Sequence, residues 1–275
     1  MKAGGNYKNL RDMARISGPF KINGSFGNLR AYKDSDTGEE ILSTKRRKNS
    51  KNHKNAMLVR LNREFKALNI WAKIIRRGTL DLIYLKKGRL NGKLVSIAKR
   101  IQLMDPICEG GIRKIISSKF NLPLVGFCMN NAHPFWDVCN VEPEILISED
   151  RSTITFKLTN FISAGKFKWS EGIQYYRIYI VIFELPDVEW SENDKKYLPV
   201  YLFDTLGRKT VVSEWIQVGT DPKNIVIPVA FDANQLPREK TTVMVSVGFE
   251  FANGIQFNTP YVVKDHGTCA ILGCF

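Results

Sequence analysis

The sequence predicts an α+β protein, with a β-hairpin and helices in its front half and an antiparallel β-sandwich behind them. Three observations predict it. Between residues 58 and 104 apolar residues recur every three or four positions, the period of helices with one buried face. From Glu142 the period changes to two, and turn residues cut the chain into short runs. Between these signs of two folding habits stands a third, residues 174–185, QYYRIYIVIFEL, the longest apolar run in the chain. Tyr176, Ile178, Ile180 and Ile182 form one apolar register, and Tyr175, Tyr179, Val181 and Phe183 leave only Arg177 polar in the other. A strand of that kind belongs inside a sheet covered on both faces. Burying each isoleucine contributes about 1.5–3 kcal/mol, so this strand should anchor the fold.

Taken in order, residues 1–22 are Gly-rich and basic and read as an extended or poorly ordered arm. Residues 24–45 carry apolar points at Phe26, Leu29, Tyr32, Ile41 and Leu42 around a polar cluster at 34–38, which predicts a hairpin. Gly27 is expected to permit a bulge or a tight backbone approach there. Leu58, Leu61, Phe65, Leu68, Ala72 and Ile75 then make one helical stripe, with Gly78 as its natural stop. A second helical segment is expected near residues 80–89, and a third over 94–104 before Pro106. Residues 112–120 suit a short helix and 122–129 a strand. Strands follow at 144–148, 153–159, 174–185, 198–203, 210–218, 224–231, 242–251 and 268–275. Seven or eight short strands with such punctuation predict a sandwich immunoglobulin-like in size, although the Cys, Trp, Cys core pattern of antibody domains is absent.

Charge divides the chain. Residues 1–140 hold 28 Lys and Arg against 10 Asp and Glu, whereas residues 141–275 hold 13 against 17. This places a composition boundary near residue 140, with a basic hairpin-and-helix region over 1–140 and the sandwich over 141–275. Any polyanionic partner should meet the front half. No run spans a bilayer, no lipidation box ends the chain, and residues 1–20 lack the apolar core of a secretory signal. Five irregularly spaced cysteines suit reduced thiols better than a disulfide framework, so a cytoplasmic protein without membrane contact is expected.

The strongest functional signal is KRRKNSKNHK at residues 45–54, six basic residues without an acid, leading straight into a cationic helix. Lys45, Arg46, Arg47, Lys48, Lys51 and Lys54, supported by Arg60, Arg76 and Arg77, would neutralise phosphates and release counterions. Two other uses remain open for this run: docking on an acidic patch of a neighbouring copy, and a solvated linker. The remaining motifs carry less. Asp34, Asp36 and Gly38 start like a calcium loop, but the glycine is fifth rather than sixth and Lys45 stands where the twelfth-position glutamate belongs. Cys128, His133 and Cys139 lack the Cys-x-x-Cys spacing of zinc sites. His266 and Cys269 neighbour each other on one strand, where a Cys/His nucleophile rarely aligns. Cys269 and Cys274 are expected on opposite strand faces. No metal, cofactor or catalytic constellation is therefore expected. Five tryptophans could form a glycan-stacking face, though they more often fill cores.

The hairpin Gly24-Ser-Phe-Gly27-Asn-Leu-Arg-Ala-Tyr32-Lys33, followed by Ser43-Thr-Lys45 and the basic helix entry, resembles the opening of uncharacterised bacterial proteins of the Bacteroides type. His133-Pro-Phe135 and the ending Ala270 to Phe275 are similar to such sequences too. The resemblance implies a Gly-x-x-Gly hairpin, a basic arm, a helix and a C-terminal β-domain, and carries over no catalytic residue. The expectation is a non-enzymatic binding or assembly protein that contacts nucleic acid or another polyanion through residues 45–77. The alternative is a self-assembling structural subunit of a bacterial or phage particle, a homo-oligomer whose arm docks on the next copy.

Overall fold

The structure is a computed structural model. It describes residues 13–15, 24–33, 38–45, 56–139, 141–159, 172–220, 224–256, 259–263 and 266–275. The polar cluster at 34–37, the basic residues Arg46 to Lys54 and all but three residues of the expected arm lie outside the described set. The chain forms two compact units, residues 1–54 and residues 55–275. The charge boundary near residue 140 is thus not where the compact units divide.

In the first unit, β1 (Met13–Arg15), β2 (Gly24–Phe26), β3 (Leu29–Lys33) and β4 (Glu40–Thr44) pair antiparallel in the order β1-β4-β3-β2. The expected hairpin is β3 with β4, registered Ala31 opposite Leu42 and Tyr32 opposite Ile41. A two-residue turn, Gly27-Asn28, adds β2. Gly27 sits at φ +53°, a left-handed conformation that tight hairpin turns require and glycine adopts without strain.

The second unit begins with α1 (Ala56–Gly78), a 3₁₀ segment (Leu80–Leu85) and α2 (Leu90–Leu103). There follow β5 (Phe127–Cys128), the single turn α3 (Phe135–Val138), β6 (Glu144–Ile147), β7 (Thr153–Thr159) and β8 (Tyr175–Pro186). Then come β9 (Val188–Ser191), β10 (Lys196–Pro199), β11 (Arg208–Val212), β12 (Ile216–Gln217), β13 (Asn224–Ala230), β14 (Thr241–Gln256), β15 (Thr259–Val262) and β16 (Thr268–Cys274). The main sheet runs β11-β8-β14-β16-β5, with β12 also on β8 and β15 on β14. A smaller sheet runs β13-β7-β6, and β9 pairs with β10. The protein is a mixed α+β fold, and all its strand ladders are antiparallel among the described residues.

β8 sits inside the main sheet, as its two apolar registers require. Val181, Phe183 and Leu185 meet Leu68, Trp71, Ile75, Leu94 and Ile101 of the helices in one core. Tyr176, Ile178, Ile180 and Ile182 meet Ile154, Phe156, Leu158, Ile225 and Val229 of the smaller sheet in another. The order is therefore helices, main sheet, small sheet, and the helices of the basic half belong to the same body as the strands.

Two expectations about local structure are corrected. Residues 112–120 form no helix, because buried carboxylates take their backbone donors. Glu64 of α1 accepts the Gly111 amide at 2.8 Å and pairs with Lys99 Nζ at 2.7 Å. Asp105 accepts the amides of Ile107, Cys108 and Lys114 at 3.0, 3.3 and 2.8 Å. Asp187 accepts the Ser118 amide at 2.8 Å, and Ile115 bridges to Val188. Residues 122–129 are likewise a 3₁₀ turn (Leu122–Leu124) and a two-residue strand rather than one strand.

The cysteines also depart from simple alternation. The register of β14 on β16 shifts between Val245 and Ser246, leaving Leu272 as an extra residue. An odd insertion swaps the faces beyond it. Cys269 and Cys274 therefore both face the helices. All five cysteines are free thiols, and burial pushes the Cys269 thiol up to about 12.

The loop over residues 105–114 should loosen in acid. Burial raises the Glu64 and Asp105 carboxyls. The Lys99 bond and the Gly111 amide at Glu64, and the amides at Asp105, outweigh that and hold both below the ordinary carboxylate range. Each group's stabilisation is complete above its unfolded pKa and is lost as pH falls through the depressed folded value. The thermal midpoint should therefore fall between about pH 5 and pH 2. Asp105→Asn should start lower and lose less over the same range; parallel pH curves for the two proteins would refute the assignment.

Candidate polyanion interface on the helical layer

α1 and α2 lie side by side on the main sheet. They carry nine cations (Arg60, Arg63, Lys66, Lys73, Arg76, Arg77, Lys93, Lys99, Arg100) and one acid, Glu64. Glu64 is 2% exposed and held by Lys99, so the outer face of both helices presents no free carboxylate.

The core fixes where the cations point. Ala67, Leu68, Trp71, Ala72, Ile74 and Ile75 are buried, which turns Asn62, Lys66, Lys73 and Arg76 outward, with the half-buried Asn69 between them accepting a bond from Asn91 at 3.4 Å. These five are spaced four, three, four and three apart, so they form one continuous polar stripe. At 1.5 Å per residue it runs about 21 Å, several phosphates of a nucleic-acid strand. The side chains of Lys66, Lys73 and Arg76 make no hydrogen bond or ion pair among the described residues. Arg100 presents a further exposed cation on α2.

The sequence-predicted residues fare differently. Arg46, Arg47, Lys48, Lys51 and Lys54 lie outside the described residues. Lys45 is exposed after β4, beside a shallow pocket it shares with Arg30, Tyr32, Ser43 and Thr44. Arg30 lies 5.9 Å from the Tyr32 ring. Arg60 is exposed, but its stem packs on the backbone at Gly111, where an added Cβ would come within 2.7 Å of Arg60 Cγ. Arg77 is engaged: its guanidinium lies 3.8 Å from the Phe203 ring centre and 3.6 Å from Asp204 Oδ1. Arg76 is exposed and belongs to the outward stripe. Lys66 and Lys73 were not among the sequence-predicted phosphate ligands. Their signal is the polar complement of the apolar stripe, at the same helical spacing.

His133 stacks on His266 at 5.4 Å, and no three His, Cys, Asp or Glu side chains cluster as metal ligands among the described residues. Burial lowers the Lys86 amine to about 8, and it donates to both the carbonyl and the hydroxyl of Thr79. No helix of the described residues is long and apolar enough to cross a membrane. Comparison of the chain with protein-family models, curated proteins and solved structures gave no match.

Proposed function

We propose that this is a non-enzymatic binding protein that engages nucleic acid through its phosphates. The observation that carries the reading is the stripe of unpaired cations on α1, on a helical layer whose single acid is buried. Such a surface neutralises phosphates without reading bases, so its binding is sequence-tolerant and salt-sensitive. The basic residues 45–54 precede α1 in the sequence and add six more cations to this part of the chain. The two-sheet core supports taking the back half as a β-sandwich of immunoglobulin-like size, a scaffold that holds the helical layer rigid. The free thiols support a cytoplasmic setting.

The test uses the full chain carrying Lys66→Gln, Lys73→Gln and Arg76→Gln together. These side chains are exposed, so melting should match the unaltered protein. Affinity for oligonucleotides should fall to a similar extent across unrelated sequences. The slope of log affinity against log salt should shrink by about 2–3, near one for each cation neutralised. An unchanged slope would refute the reading. Oligomers that survive nuclease and vanish in the variant would instead favour a self-assembling subunit.

A further inference from the structure

The sequence predicts a buried apolar stripe along all of α1, yet only its second half is covered. Leu58, Leu61 and Phe65 are 55%, 47% and 55% exposed. They do not project into open solvent as isolated side chains. With Gly92, Val95 and Ser96 of α2, and with the Glu64–Lys99 ion pair, they line a groove of about 610 Å³ between the two helices.

We propose that this groove receives an acidic amphipathic helix from a partner protein. The spacing of Leu58, Leu61 and Phe65 continues the spacing of the buried Leu68, Ala72 and Ile75, so it suits a third helix packed like a core neighbour. Gly92 and Ser96 are small and one turn apart on the opposite wall, which lets a helix axis come close. Charge selects the occupant. Lys66 lies one turn beyond the lining residue Asn62, and Arg100 one turn beyond Ser96, so cations flank both walls. A second copy packed through this same face would set those cations against its own, and a flat bilayer does not fill a concave groove. An incoming helix with apolar residues at every third or fourth position and glutamates beside them satisfies both the groove and its rims. This site goes beyond the phosphate-binding stripe: it shares Asn62 and Lys66 with it, but its apolar lining of Leu58, Leu61 and Phe65 belongs to the groove alone, so substitutions there test it separately.

The probes are two synthetic helical peptides of about 21 residues with leucine at the first and fourth position of each heptad. One carries glutamate at the flanking positions and the other lysine. Binding to the full chain is followed by calorimetry. The glutamate peptide should bind at least about tenfold tighter than the lysine peptide, a difference of about 1.4 kcal/mol. Leu61→Ser/Phe65→Ser should weaken it at least about tenfold while nucleic-acid binding persists. Ser96→Arg, which fills the groove from the exposed side of α2, should do the same and guards against a folding defect in the first variant. Equal binding of both peptides, or unchanged binding by both variants, overturns the proposal. So does a dimer of the unaltered chain that Ser96→Arg dissolves, or binding to anionic vesicles that the variants abolish while the glutamate peptide fails to bind.

Discussion

Phe183→Ala should remove about 3–5 kcal/mol of stability, and it should reverse the effect of a second substitution, Gly78→Ala. Phe183 is 1% exposed on the helix-facing register of β8. Its ring fills the space where α1 ends: a Cβ added at Gly78 would lie 2.5–2.7 Å from three of its ring atoms. Gly78→Ala alone should therefore cost about 1–3 kcal/mol through overpacking. Helix propensity points the other way, since alanine is better than glycine by about 1 kcal/mol in a helix interior. With Phe183 cut to alanine the clash disappears, and Gly78→Ala should become neutral or mildly stabilising. Denaturant titrations of the four proteins complete the cycle. Additive effects would mean that Gly78 is required for some reason other than room for Phe183.

The second large effect concerns a buried ion pair near the C-terminal end of β8. Glu184 is 1% exposed. It accepts bonds from Arg238 Nε at 3.1 Å, Arg238 Nη2 at 3.0 Å, and the amides of Arg238 and Gly207 at 2.9 and 3.0 Å. Arg238 also stacks 3.9 Å from the Tyr201 ring and donates to the Thr205 carbonyl at 2.9 Å. One charge thus ties β8 to two connecting segments. Arg238→Ala leaves a carboxylate buried with only its amide bonds, and should cost about 3 kcal/mol, the lower end for a broken buried pair because the arginine is one-third exposed. Replacing both residues, Glu184→Leu with Arg238→Met, should cost clearly less than the two single substitutions together, since no charge is then stranded. Urea midpoints decide it; a double variant as unstable as the sum would show that the pair is not coupled.

The fold was legible where packing follows the local period. β8 is the clearest case, because apolar residues in both registers leave a strand nowhere to go but between two layers. β7 and β13 follow from simple alternation. The rest was hidden by effects that cross between distant residues. The charge boundary near residue 140 counts side-chain charge, whereas the helices of the front half bury Trp71, Ile75 and Ile101 on the same sheet as Phe183 and so join the back half. Residues 112–120 have helical spacing, but Glu64, Asp105 and Asp187 capture the backbone around them from elsewhere in the chain. The bulge at Leu272 changes the face of Cys274, and no alternation rule announces a bulge. At the interface, the basic run was plain and Lys66 and Lys73 were visible as exposed charges, but their place in one unpaired stripe depends on which side of α1 the core takes. The apolar stripe misled for the same reason: Leu58, Leu61 and Phe65 continue its period past the end of the protein's own core.

The most direct measurement is the affinity of the unaltered full chain for single-stranded and duplex oligonucleotides of unrelated sequence, followed from low to high salt. The account predicts tight binding at low salt, little dependence on sequence, and log affinity that falls linearly and steeply with log salt. No binding at low salt, or binding that salt leaves unchanged, would contradict it.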